Sequence, residues 1–147
     1  MSFTPSHLYF DDVEVGQEWK SLGRTITEAD VVSYAAISGE QDCLDFTAGE
    51  DGLPPLVPDL LIMVLSSGLG FRAPAETPQV LAFMVFDLEM RLPVRVGDTI
   101  RCRIRVAGKR PMKDGGVIVE RREMVNQRGE VVQEAEYKLL VARRPRE

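Results

Sequence analysis

The sequence predicts an α+β domain: helical material early, one apolar helix in the middle, then antiparallel strands. Three observations carry this. Thr27-Glu28-Ala29-Asp30 reads as a helix start, with apolar residues recurring behind it at helical spacing. Leu60–Leu65 is an unbroken apolar run just after Pro58-Asp59. Beyond residue 80 the pattern changes to alternation with period two, the mark of half-buried strands. At 147 residues the chain suits one domain, 1–147, long enough to bury a core. No repeat, low-complexity stretch or linker divides it.

Each element has its own local reason. Thr27 is the N-cap of the first helix and Glu28 and Asp30 suit its positive end. Val31, Tyr34, Ala35 and Ser38 follow at helical spacing, and Gly39 is a natural terminator. From Gly49 to Pro58, two glycines, three prolines and two acids make the backbone irregular. Pro58-Asp59 opens the second helix, which is apolar on every side. That pattern predicts a helix surrounded by protein, with Leu61, Met63, Val64 and Leu65 buried. The small residues Ser66-Ser67-Gly68 suit a close approach to the sheet.

The strands follow. From Val80 to Leu92 every even position is apolar, so that face is expected to be core along its length. The odd positions begin apolar at Leu81, Phe83 and Val85 and turn charged at Asp87, Glu89 and Arg91. A covered outer patch of this kind predicts a dimer contact. Ile100, Cys102, Ile104 and Val106 alternate with Thr99, Arg101, Arg103 and Arg105. A less regular strand runs from about Val117 to Val125. Val131, Ala135, Tyr137, Leu139 and Val141 mark the last strand, opposite Glu134, Glu136 and Lys138.

Composition narrows the function classes. A net charge of −5 argues against a nucleic-acid partner. Arg101, Arg103 and Arg105, and Arg143-Arg144-Pro145-Arg146 at the tail, read as a solvated strand face and a frayed terminus; a contact with the phosphates of a ligand is the weaker reading. Met1–Pro5 lacks a signal peptide's basic start and apolar core, and no apolar run is long enough for a bilayer. Cys43 and Cys102 have neither disulfide-framework nor metal-ligand spacing. A cytoplasmic protein with no membrane partner is expected.

Ser38-Gly39-Glu40-Gln41-Asp42-Cys43-Leu44-Asp45 resembles the active-site loop of the MaoC-like hydratases and dehydratases. The family pattern there is an acidic residue, any residue, Asn, Pro, an aliphatic residue and His. Glu40 stands at the acidic position, Asp42 at Asn, Cys43 at Pro, Leu44 at the aliphatic position and Asp45 at His. The chain's one histidine, His7, lies far upstream. Further segments match in order: Tyr9–Gly16 the family's opening, Gly23–Val32 the entry to its first helix, Arg91–Ile100 a turn between strands, and Asn126–Val132 the last hairpin.

The resemblance implies a single hotdog domain, an antiparallel sheet wrapped around a central helix. It implies an acyl-thioester ligand, on CoA or acyl carrier protein, no cofactor, and a homodimer or a heterodimer with another hotdog subunit. It carries the catalytic positions to Glu40 and Asp45. At the central helix the family has His-Gly, whose glycine N–H holds the thioester oxygen; here Pro58-Asp59 stand there. Substrate contact is therefore expected at Asp42, Asp59 and Leu60.

The departures bear on chemistry. Histidine titrates near neutrality, whereas an aspartate at position 45 has a reference pKa of about 3.9 and a shorter reach. Glu40 is about an ångström longer than the family's aspartate, and the Asp59 carboxylate opposes a developing oxyanion. Glu40, Asp42, Asp45 and Asp59 admit two readings: a carboxylate pair or hard-cation site at one pocket mouth, or separate solvated carboxylates with Asp59 capping its helix. Four functions stay open: an impaired hydratase-type subunit, serving as the non-catalytic half of a heterodimer; an active hydratase using Glu40 with Asp45 or Asp42; a thioesterase using one carboxylate; and a binding protein without turnover.

Overall fold

The computed structural model describes residues 7–71 and 76–145, so Met1–Pro5 and Arg146 of the basic tail lie outside the described residues. In chain order the elements are β1 (His7–Leu8), β2 (Glu18–Lys20), β3 (Arg24–Thr25), α1 (Glu28–Ser38), α2 (Asp59–Phe71), β4 (Thr77–Pro78), β5 (Val80–Met90), β6 (Thr99–Met112), β7 (Gly115–Val125) and β8 (Val131–Val141). The main sheet runs β2-β6-β7-β8-β5, antiparallel throughout, with β3 added to β6. β1 and β4 form a separate parallel pair. A sheet curled about α2 is the α+β arrangement expected.

Local chemistry places the helix ends where the sequence predicts them. The Thr27 hydroxyl accepts the Asp30 N–H, while Asp30 accepts the Thr27 N–H at 2.8 Å, a reciprocal cap. Arg24 grips the same carboxylate with two nitrogens, at 3.1 and 2.5 Å, and holds it below its ordinary range. Gly39 ends α1 in the left-handed conformation, φ 78°, and its N–H reaches the Ala35 carbonyl. In the β7–β8 hairpin, Asn126 Oδ1 accepts the N–H groups of Arg128 and Glu130, both at 3.0 Å.

α2 departs from expectation. It starts at Asp59, as predicted, and buries Leu61, Ile62, Ser66, Leu69 and Gly70 on β6 and β7. Met63 and Leu65 are only half-buried, and Val64 is 53% exposed, as are Leu60 and Phe71 to similar degree. One stripe of α2 packs on the sheet, and among the described residues the opposite one is left exposed. Of the small residues expected at the close approach, Ser66 is buried against Cys102 of β6 but Gly68 is not at it, and Gly70 is. A Cβ on Gly70 would sit 2.8 Å from Arg122 Nη1, whereas Gly68 faces open space.

β5 is the second correction. Two bulges, at Leu81 and Met84, slip its pairing with β8, so Phe83 and Phe86 both fall beside Tyr137. A bulge adds one residue on one strand and reverses the alternation beyond it. The even positions therefore form no continuous core stripe, and Leu81, Phe83, Met84, Val85 and Phe86 are all exposed. Being at the sheet edge, β5 also has a free row of backbone groups. β6 and β8 match the reading: Ile100, Cys102, Ile104, Val106, Tyr137, Leu139 and Val141 are buried and the arginines of β6 point out.

Candidate functional site

The loop after α1 is shaped by short-range hydrogen bonds. Once Gly39 stops the helix, Gln41–Leu44 form a single 3-10 turn. Tyr34, in the last turns of α1, donates its hydroxyl to Glu40 Oε2 at 2.5 Å and fixes that carboxylate. The bond to an anion raises the Tyr34 phenol, so it stays protonated as a donor. Cys43 Sγ donates to the Glu40 carbonyl at 2.8 Å.

Asp45 turns inward on its own loop. One oxygen, Oδ1, accepts the Thr47 hydroxyl at 2.6 Å and the Thr47 N–H at 3.0 Å. Those two bonds, the hydroxyl first, hold the exposed carboxyl below its ordinary range. A carboxylate stabilised as its anion is a weak proton acceptor at neutral pH.

Glu40, Asp42 and Asp45 do come together: all three line an open depression of about 700 Å³, with Cys43, Thr47 and Pro58 in its wall. Arg95 is its cation, donating to the Pro54 carbonyl at 2.6 Å and lying 3.4 Å from Asp51. Backbone bonds from Val57 to Val94 and from Val96 to Pro55 tie the loop to the turn before β6. Among the described residues no three His, Cys, Asp or Glu side chains are grouped to hold a metal ion.

Asp59 and Leu60 stand apart, beyond Pro58 and outside the wall of that depression. The Asp59 carboxylate makes no hydrogen bond among the described residues, so it acts on α2 through charge alone and not as a bonded cap. Its carbonyl lies 3.5 Å from Gln133 Nε2. Leu60 is on the uncovered stripe of α2.

Tyr34, Thr47, Arg95 and Gln133 are absent from the sequence reading of the site. Asp-x-Thr at 45–47 is a recognisable side-chain turn spacing and could have been read. Gln133 shows only as a polar residue on an apolar face; it is 1% exposed, and its Oε1 has no partner among the described residues. Nothing local signals Tyr34 or Arg95.

No protein-family model matches the chain. A curated (R)-specific enoyl-CoA hydratase of Rhodospirillum rubrum is 32% identical over 143 residues, covering 92% of this chain and 93% of that protein. The chain belongs to the MaoC-like hydratase family. The solved structure of a monoamine oxidase regulatory protein from Archaeoglobus fulgidus superposes with TM-score 0.83 at 27% identity, over 95% of this chain and 97% of that one. A Mycobacterium tuberculosis protein described as a double hotdog fold superposes with TM-score 0.79 at 23% identity, over 95% of this chain and 45% of that one. This MaoC-like chain is thus a hotdog, its sheet wrapped on α2. Among the described residues no helix is long and apolar enough to cross a membrane.

Proposed function

We propose that this MaoC-like chain is an acyl-thioester subunit of the hydratase/dehydratase type whose own water-activating site is impaired. The observation that carries the reading is the Asp45–Thr47 pair. The residue at the family's histidine position spends one oxygen on two local bonds and is held as an anion. The fixed charge of Asp59 at the start of α2 adds to the impairment by opposing a developing oxyanion. The (R)-specific hydratase relative supports an acyl-CoA as ligand, with an acyl carrier protein thioester the related choice.

The same reading assigns a dimer. The exposed apolar residues Leu81, Phe83, Met84, Val85 and Phe86 on an edge strand, together with the exposed stripe of α2, call for a second hotdog subunit. If that subunit carries an intact histidine motif, it supplies the chemistry and this chain the pocket wall. A narrower second reading, a thioesterase, has one observation in its favour: Tyr34 holds Glu40 as an oriented carboxylate in the wall of the depression.

The test is turnover of enoyl-, 3-hydroxyacyl- and saturated acyl-CoA, with the chain alone and with a histidine-bearing homologue. Alone, hydration of crotonyl-CoA is expected ~10²–10⁴-fold below ordinary rates, the cost of a missing general base. Hydrolysis of saturated acyl-CoA that Glu40→Gln abolishes would establish the thioesterase. Ordinary hydration by the homomer, lost on Asp45→Asn, would overturn the impaired-site reading.

A further inference from the structure

We propose that the outer face of the sheet is a second, charge-driven interface between copies of this chain, with the β6–β7 arginines of one copy lying over the β8–β5 carboxylates of another. This face shares no lining residue with the acidic depression, and the proposal does not rest on the apolar residues of β5.

Strand register puts two rows of side chains across all five strands. One row is Lys20, Arg103, Glu123, Glu134 and Glu89; the next is Glu18, Arg105, Arg121, Glu136 and Asp87. Together they line an open depression of about 520 Å³. The charges are unevenly divided. The β2–β7 side carries Lys20, Arg103, Arg105 and Arg121 against Glu18 and Glu123, whereas the two strands beyond carry Glu134, Glu136, Asp87 and Glu89. Such an arrangement has a cost, because like charges directly opposite on neighbouring strands repel. Arg105 faces Arg121, Glu123 faces Glu134, Glu136 faces Asp87, and Glu134 also faces Glu89.

The protomer relieves only part of this. Arg103 pairs with Glu123 at 2.9 Å, and Arg91 reaches Glu89 at 2.9 Å and Glu134 at 2.7 Å. Arg121 and Glu136 are a loose 3.8 Å apart. Among the described residues Lys20, Arg105 and Asp87 form no ion pair, although Glu18 stands opposite Arg105 on β2.

An anionic or a cationic ligand would satisfy one half of this face and be repelled by the other. A second copy satisfies both. A two-fold axis along the strands, between β7 and β8, exchanges the halves: Arg105 of one copy then meets Asp87 of the second, Arg121 meets Glu136 and Arg103 meets Glu89, while Glu123 falls near Glu134, each already held by its own arginine, Arg103 and Arg91. That makes the face self-complementary, as a two-fold interface requires.

Sedimentation of the full chain at low and high salt tests this. The screening length falls from about 10 Å at 0.1 M salt to about 3 Å at 1 M, so the assembly mass should halve at 1 M. Arg105→Glu/Arg121→Glu should keep the smaller mass even at 0.1 M, as should Asp87→Arg/Glu136→Arg. An equimolar mixture of the two should regain the larger mass. An unchanged wild-type mass at both salts, or reversed variants that stay at the wild-type mass, would overturn the proposal; the wild-type salt arm does not depend on how the variants fold. Halving to a monomer, instead of a dimer, would support this interface while refuting the apolar β5 contact.

Discussion

The inner face of the sheet has two halves that read alike in sequence and differ in what lies over them. On β6 and β7 the alternating apolar residues sit under α2, and Ile100, Ile104 and Ile118 are buried. On β5 equally apolar residues, Phe83 and Phe86, are 47% and 49% exposed. α2 shows the same division, Ile62 against the sheet and Val64 away from it. Apolar character therefore says that a residue will be covered. It does not say whether its own chain or another will cover it.

The comparison predicts its own largest effect in α2. Ile62→Ala should destabilise the protein by ~2–5 kcal/mol in denaturant unfolding, the usual cost of a core cavity. Val64→Ala should stay within about 0.5 kcal/mol under conditions where the chain is monomeric. Equal effects would mean that the two stripes are covered alike. On the sheet, Phe83→Asp with Phe86→Asp should leave a folded monomer at micromolar concentration. Each buried phenylalanine is worth ~1.5–3 kcal/mol, and about 1.4 kcal/mol is tenfold in affinity. Sizing by sedimentation at high salt isolates this contact.

The glycines of α2 sharpen the same contrast. Gly70→Ala presses on Arg122, which is tied to Glu120 at 3.0 and 2.8 Å and nearly buried, and should cost ~1–3 kcal/mol. Gly68→Ala meets open space and should gain up to about 1 kcal/mol from helix propensity. Thermal melts of the two variants should move in opposite directions.

The smallest effect is one of pH, and it separates α1 from α2. Asp30 is held below its ordinary value of 3.8, first by Arg24. A lowered carboxyl contributes stability that is present above the unfolded pKa and lost as pH falls through the folded one. The advantage of the wild type over Asp30→Asn should therefore be full at neutral pH and disappear in acid below that value. A difference that persists unchanged into strong acid would show that the cap is held by something other than the ionised carboxylate. The gap between wild type and Ile62→Ala should not respond to pH over the same range.

Much of the site was legible and its chemistry was not. Glu40, Asp42 and Asp45 follow a helix end that Gly39 dictates, so their meeting in one depression follows from local chain geometry. The engagement of Asp45 by Thr47 is local too. Asp59 and Leu60, expected at the same place, begin α2 just beyond Pro58 and are not among the residues that line the depression.

Short-range chemistry thus determined the cap at Thr27, the stop at Gly39, the hairpin at Asn126–Gly129 and the alternation along β6, since backbone and side-chain partners there lie within a few residues or within one regular strand. Tertiary structure alone decided which stripe of α2 is buried, which glycine meets Arg122, and where the bulges turn Phe83 to the side of Tyr137. Those outcomes depend on what packs over a residue from a distant part of the chain. A run of similar apolar residues such as Leu60–Leu65 carries no local mark of that neighbour.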